Sequence, residues 1–206
     1  MVNACALYGT DYVDITGEVE WVQTCINNMQ HLAVNSGARL VSFCGNDSVP
    51  WDLCTYYMHK EFTEKHGQGL QKIQFYDQMA GNISGGTIAS MFDNTNLQKD
   101  RGFKPKFSAE NDPWYLAPSG KSIRDFKTID KNTLFPHYDS KAHSFCGMFM
   151  MASINRKVVE RTNTLNGYGN IEYGEKSVLK NWTKALTETL TLLYFGSFLM
   201  CKPLGY

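Results

Sequence analysis

The run Leu40 to Leu53, Leu-Val-Ser-Phe-Cys-Gly-Asn-Asp-Ser-Val-Pro-Trp-Asp-Leu, constrains this chain more than any other stretch. It opens as a short apolar run, Leu40 to Cys44, of the kind that forms a buried strand. Gly45 breaks it. Asp47 and Ser48 are both good N-cap residues, Pro50 suits the first helical turn, and Asp52 puts negative charge where a helix N-terminus favours it. The order is therefore strand, tight turn, helix. In an open α/β sheet such a turn lies at the carboxyl end of a strand, where ligands bind. The same residues also suffice for an ordinary βα turn with its caps and no chemistry.

What precedes this run extends it into a βαβ unit. Met1 to Leu7 reads as the end of a helix stopped by Gly9, and Tyr12 to Ile15 as a strand. Thr16, Gly17 and Glu18 lead into a helix over Val19 to Ser36, whose Val22, Cys25, Ile26, Met29, Leu32 and Ala33 recur at helical spacing. Glu18 and Glu20 suit its start and Gly37 its end. His31, beside the apolar stripe, reads as a packed or surface histidine rather than a catalytic one.

Four blocks then carry a resemblance. They are Gly9-Thr-Asp-Tyr-Val-Asp-Ile-Thr-Gly-Glu18, Gly45-Asn-Asp-Ser-Val-Pro-Trp-Asp52, Gly85-Gly-Thr-Ile-Ala-Ser90, and Ile154-Asn-Arg-Lys-Val-Val-Glu-Arg-Thr162 with Tyr168-Gly-Asn-Ile-Glu-Tyr-Gly-Glu175. In this order the chain resembles the saccharopine dehydrogenase-like oxidoreductases, which include the trans-acting enoyl reductases of lipid and polyketide assembly. The resemblance is weak between Gln98 and Ser144. It implies a nicotinamide cofactor, NADP or NAD, with the loops around Tyr12–Glu18 and Gly45–Asp52 beside its reactive ring. On that basis Asp14, Gly17, Glu18, Gly45, Asp47 and Ser48 are candidate cofactor contacts, and Asn46, Asp52, Gly86 and Thr87 candidate substrate contacts. Two departures bear on the substrate: Asn46 stands where the family usually has an aromatic residue, and Met148-Phe149 where it usually has Pro-Phe.

The dinucleotide fingerprint Gly-x-Gly-x-x-Gly does not occur in these 206 residues; Gly67-Gln-Gly69 and Gly167-Tyr-Gly169 each lack the third glycine. The expectation is a piece of a longer enzyme. It would be an α/β fold: the C-terminal part of a Rossmann-like parallel sheet over residues 1–52, a mixed α+β substrate domain over 53–180, and an apolar helical segment over 181–206.

Composition narrows the partners. Twenty Lys and Arg balance twenty Asp and Glu, so net charge gives no electrostatic case for nucleic acid. Six cysteines lie scattered without a Cys-x-x-Cys pair, and no charged-then-apolar leader opens the chain, which fits reduced thiols in a cytoplasmic protein.

Further along, a helix is expected from Asp52 to Glu64, with Leu53, Tyr56, Tyr57 and Lys60 on one face, then a half-buried strand over Leu70 to Asp77. Gly81 to Gly86 reads as a loop entering a helix from Thr87 to Asn96, a start able to hold an anion or a carbonyl oxygen. Pro105, Pro113, Pro118 and Pro136 argue for loops and short strands. His137, Asp139 and His143 match no metal-ligand spacing, and no metal is predicted. Phe145 to Leu165 reads as a helix with Phe149, Ala152 and Val159 inward and Arg156, Lys157, Glu160 and Arg161 outward. Ser177 to Leu204 reads as a second helix, apolar enough in its latter half to contact a membrane or lipid surface through residues 185–204.

The expected function is that of a nicotinamide-dependent oxidoreductase acting on a small-molecule or lipid-linked substrate, with no proton donor identified and homo-oligomerisation left open. The alternative is a non-catalytic lipid- or membrane-associated protein that keeps the scaffold, placed at a membrane or lipid-droplet surface.

Overall fold

The structure, a computed structural model, describes residues 1–78, 85–86, 89, 112–118, 135–169 and 171–200, the last six by backbone alone. These residues are mixed α/β and divide into two compact units.

The first unit draws on Met1–Ile73, Asn111–Asp125 and Ser153–Glu172. Helix α1 (Val2–Tyr8) ends at Gly9, strand β1 is Tyr12–Val13, α2 is Val19–Ser36, β2 is Leu40–Val41 and α3 is Val49–His66. Strands β1 and β2 pair in parallel, Tyr12 with Leu40 and Val13 with Val41, giving the expected βαβ unit. Gly9 has φ 71°, and a Cβ there would stand 3.0 Å from the Ser36 carbonyl oxygen, so glycine both turns the chain and lets α1 lie close on α2. The core gathers Val22, Phe43 and Leu116, with Val19, Ile26, Tyr115, Ile154 and Val158 packed against them.

Helix α4 (Ala152–Asn166) supplies much of that core and departs from expectation. Lys157 and Glu160, read as outward, are 5% and 1% exposed, and Arg161 donates Nη1–H to the Leu116 carbonyl at 2.6 Å. Tertiary packing overrides the amphipathic pattern because the buried charges find local partners. Lys157 Nζ donates to the Ser153 carbonyl at 2.9 Å, and the Arg156 guanidinium lies over the Trp114 ring at 6.0 Å. On helix α3, Leu53, Tyr56 and Tyr57 are exposed, while Thr55 and His59 are buried.

The second unit draws on Gln74–Glu110, Phe126–Ala152 and Tyr173–Tyr206. Its four-stranded sheet is ordered β3-β6-β5-β4, from β3 (Lys72–Asp77), β4 (His137–Asp139), β5 (Ser144–Gly147) and β6 (Glu172–Leu179). Helix α5 (Trp182–Met200) follows β6. Phe145 to Gly147, expected as helix, is therefore strand. The three residues pair antiparallel with Leu179, Val178 and Ser177, and a Cβ on Gly147 would lie 3.5 Å from Leu179 and 3.6 Å from Thr189, so a small residue suits this close approach. Ser177 to Leu179, also expected as helix, forms the other side of that ladder. Gly85 and Gly86, expected as loop, are helical.

Val159 and Leu53 are both apolar but only the first is buried, so two truncations discriminate. Val159→Ala, at a fully buried site, is expected to cost about 1.5–3 kcal/mol, and Leu53→Ala less than about 0.5 kcal/mol, by urea denaturation. Equal costs would mean that α3 faces the core through Leu53.

Candidate functional site

Two loops meet at the carboxyl ends of β1 and β2. Asp14 joins them: its N–H donates to the Val41 carbonyl at 3.2 Å, and its carbonyl accepts from Cys44 N–H at 2.8 Å. Its carboxylate accepts from Thr16 N–H at 3.0 Å on Oδ1 and from the Ser42 hydroxyl at 3.2 Å on Oδ2. Thr16 Oγ1 accepts from Glu18 N–H at 3.2 Å, which shapes the entry to α2. Gly45 lies against Ile15, a Cβ there standing 3.4 Å from that side chain, and a Cβ on Gly17 would stand 3.6 Å from Ile154 Cδ1. At the tip of the turn Asn46 and Asp47 are exposed, while Ser48 is 3% exposed.

Ser48 occupies the N-cap position of α3 but its side chain does not cap. It donates instead to Asn155 Oδ1 on α4 at 2.9 Å, a buried bond between residues 107 apart. One helical turn on, the Thr162 hydroxyl donates to Asp52 Oδ2 at 3.0 Å, and beyond that His59 stacks on Tyr168 with ring centroids 4.0 Å apart. The partners advance together along the sequence, so α3 and the α4 region run parallel, joined along a polar seam. This corrects the capping role for Ser48: its hydroxyl bonds to the buried Asn155 and makes no cap bond to the helix.

Below the turn is a cavity of about 360 Å³, lined by apolar side chains of α2, β2 and α4 with Asp52, Arg161 and Thr162 among them. Phe43 forms part of this wall with φ 61°, a left-handed backbone uncommon for a bulky residue, which marks strain at the end of β2. Burial pushes the Asp52 carboxyl up to about 6, against the Thr162 hydroxyl bond, which lowers it. On α4, burial pushes Glu160 up to about 7, against Arg156, Asn163 and Trp114. Its Oε1 lies 3.9 Å from Arg156 Nε, too far for a hydrogen bond.

Of the residues expected to contact cofactor or substrate, Asp14, Gly17, Glu18, Gly45, Asn46, Asp47, Ser48 and Asp52 all belong to this unit. Gly86 belongs to the other unit and is exposed; Thr87 lies outside the described residues. Sequence reasoning missed Asn155, Arg161 and Thr162 as partners. Their block was quoted for the resemblance, but nothing in its spacing announces a pairing with residues 107 and 110 positions earlier.

The second unit holds a separate polar cluster. Lys176 Nζ donates to Asp139 Oδ2 at 3.0 Å and lies 3.3 Å from His137 Nε2, while the Tyr76 hydroxyl donates to the same Asp139 oxygen at 3.3 Å. Burial alone would raise the Asp139 pKa, but Lys176 and the backbone N–H groups of Lys141 and Ala142 outweigh it and hold the carboxyl at about 2. These bonds tie the β4–β5 hairpin to its sheet. Among the described residues no group of three side chains could hold a metal ion.

The chain is similar to curated mycobacterial proteins. It is 32% identical over 183 residues to a Mycobacterium tuberculosis protein named a candidate trans-acting enoyl reductase, covering 80% of this chain and 40% of that one. Proteins of Mycobacterium bovis and Mycobacterium ulcerans, both named trans-acting enoyl reductase, are 27% and 28% identical, each covering 85% of this chain and 42% of its own length. The chain thus spans about two-fifths of the length of these relatives. No protein-family model and no solved structure matches it. Its homologues are enoyl reductases by name.

The two raised carboxyls set a pH dependence. Asp52 and Glu160 bind protons more tightly folded than unfolded, so their stabilisation is complete below about pH 4 and is lost as pH rises through about 6 and 7. Asp139 acts in the opposite sense, but only below about pH 4. The melting temperature is expected to fall between about pH 4.5 and pH 7.5, and Glu160→Gln to make that fall shallower. A variant whose slope matches the wild type would mean that Glu160 is not buried as described.

Proposed function

We propose that these residues are part of a nicotinamide-dependent oxidoreductase of the saccharopine dehydrogenase-like type, reducing the carbon–carbon double bond of an enoyl substrate of lipid or polyketide type. The observation that carries this reading is the meeting of the Asp14–Glu18 loop and the Gly45–Ser48 turn at the carboxyl ends of two parallel strands, with α4 packed behind them. That is where an open α/β sheet places a ligand. The similarity to proteins named trans-acting enoyl reductase supports the reaction class.

A nicotinamide dinucleotide would supply a hydride. The residues present fit the uncharged end of such a group: Gly45 keeps the turn low against Ile15, and Asn46 and Asp47 stand exposed at its tip. They do not provide for the pyrophosphate, because the Gly-x-Gly-x-x-Gly fingerprint is not in the sequence. On this reading Asp14, Gly17, Glu18, Gly45, Asp47 and Ser48 shape the cofactor side, and Asn46, Asp52, Gly86 and Thr87 the substrate side. Asp14 acts by holding the two loops together, and Ser48 by pinning the turn to α4. The Rossmann-like sheet extends beyond β1 and β2 in the whole protein, which would cover Val13 and Val41, 64% and 47% exposed.

A gene product spanning the relatives' full length is expected to oxidise NADPH or NADH when given an α,β-unsaturated acyl thioester, followed by loss of nicotinamide absorbance. The 206-residue chain alone is expected to bind neither dinucleotide saturably. Nicotinamide consumption by neither thioester nor polyketide-type enoyl substrates would remove the reductase reading.

A second reading rests on α5. Trp182, Leu186, Leu190, Leu193 and Tyr194 recur at helical spacing and are 38–73% exposed, while Ala185 and Thr189 face inward. Among the described residues no helix is long and apolar enough to cross a membrane. Such a stripe suits a lipid surface, where a lipid-linked substrate would be met. In liposome flotation the chain is expected to float, and a Leu190→Asp, Tyr194→Asp double variant to stay at the bottom. Equal behaviour of the two would rule out docking through this stripe.

A further inference from the structure

The exposed apolar stripe of α5 continues onto the sheet of the second unit. Ala185 and Thr189 face inward, and a Cβ on Gly147 of β5 would stand 3.6 Å from Thr189, so α5 packs on the sheet face that also carries Phe145. Trp182 meets Phe145 edge-on with ring centroids 6.2 Å apart, and Phe145 meets Tyr138 of β4 in the same way at 5.5 Å. Tyr138 is 58% exposed. One apolar and aromatic face thus runs from Leu193 and Leu190 through Leu186 and Trp182 to Tyr138.

Strand pairing brings positive charge to the Trp182 end of that face. Phe145 pairs with Leu179, and the Ser144 hydroxyl donates to the Leu179 carbonyl at 2.9 Å, so β5 begins where β6 ends. The turn from β4 into β5, which carries Lys141, therefore lies beside the exit of β6, which carries Lys180. Both lysines are exposed, and Lys184 follows, also exposed, in the first turn of α5. The nearby carboxylates are Asp139 and Glu188. Asp139 is taken up by Lys176, the Tyr76 hydroxyl and the N–H groups of Lys141 and Ala142, and Glu188 is offset by Lys184. Among the described residues this leaves Lys141 and Lys180 as surplus charge at the border of the apolar face.

An apolar stripe by itself attaches to lipid weakly and reversibly. Basic side chains at its border add attraction to anionic headgroups, and a tryptophan there sits at headgroup level. Nucleic acid would suit the lysines but not the row of leucines. We propose that this face docks on an anionic phospholipid bilayer. Helix α5 lies along the surface with its leucines toward the acyl chains, Trp182 and Tyr138 at the headgroups, and Lys141 and Lys180 on the lipid phosphates. The inference rests on the α5 docking reading above and adds to it the lipid class and the β4–β5 turn.

Cosedimentation of the 206-residue chain with two sets of vesicles tests it: phosphatidylcholine alone, and phosphatidylcholine with about a third phosphatidylglycerol. Binding to the anionic set is expected to be at least about tenfold tighter, because each lysine near such a surface contributes roughly fivefold. A Lys141→Glu, Lys180→Glu double variant is expected to lose that preference and to bind neutral vesicles as the wild type does. Should the variant fold poorly, the wild type alone decides: raising salt from about 50 to about 500 mM is expected to erase its preference. Equal affinity for the two vesicle sets, or a preference that survives in the folded double variant or at high salt, would overturn the anionic-lipid assignment and leave α5 docking intact. Binding to neither set would remove both.

Discussion

The first unit depends on the polar seam between α3 and α4. An apolar helix interface tolerates rotation and sliding, because one methyl group packs nearly as well as another. The Ser48–Asn155 and Asp52–Thr162 bonds do not: shifting either helix by a residue would break a buried and a partly buried hydrogen bond, at about 1–3 kcal/mol for a buried group left unsatisfied. The seam therefore fixes the register of α4 against α3. Through Ser48 it also fixes the turn that follows β2, so a helix more than 100 residues downstream positions the loop where ligand contact is expected.

The same logic explains why two strands of two residues each can hold a defined loop pair. A two-stranded ribbon is marginal by itself. Here Asp14 adds two backbone bonds and two carboxylate bonds across the strand ends, and Asp11 pairs with Arg39 at the opposite ends. The exposed Asp11–Arg39 pair contributes little energy, as surface ion pairs do. The partly buried bonds of Asp14 carry more, and they close on the side where Phe43 is held in a left-handed conformation. Strain at Phe43 persists because its neighbours on both sides are already fixed: Ser42 by Asp14, and Cys44 by the Asp14 carbonyl.

What the sequence made legible was local. The apolar run at Leu40, the glycine at 45 and the proline at 50 dictate strand, turn and helix through backbone chemistry alone, and the stripe of α2 announces its own face. What it hid was non-local. Lys157 and Glu160 carry charge, and charge reads as surface unless the partner is known; their partners are the Ser153 carbonyl, Arg156 and Trp114, the last on a separate segment. Phe145 to Gly147 reads as helix by composition and becomes strand by pairing with β6. For the site, the residue types of the turn were readable, but Ser48 has two oxygen-seeking options within reach of any sequence argument, capping and tertiary bonding. Only the position of Asn155 decides between them.

Asp52 is where local and global preferences disagree most. It stands in the first turn of α3, where the helix dipole stabilises a carboxylate, and it accepts a hydrogen bond from Thr162; both effects lower a carboxyl pKa. Burial outweighs them and carries the group up to about 6. A leucine at this position would suit the apolar wall, and an asparagine would keep the Thr162 bond without a buried charge, so packing alone gives no reason for an acid. Local rules broken without compensation inside the fold tend to mark sites whose missing partner is a ligand. The unpaired Oδ1 of Asp52 is such a break, and it is buried behind the turn rather than at the exposed tip where Asn46 and Asp47 stand.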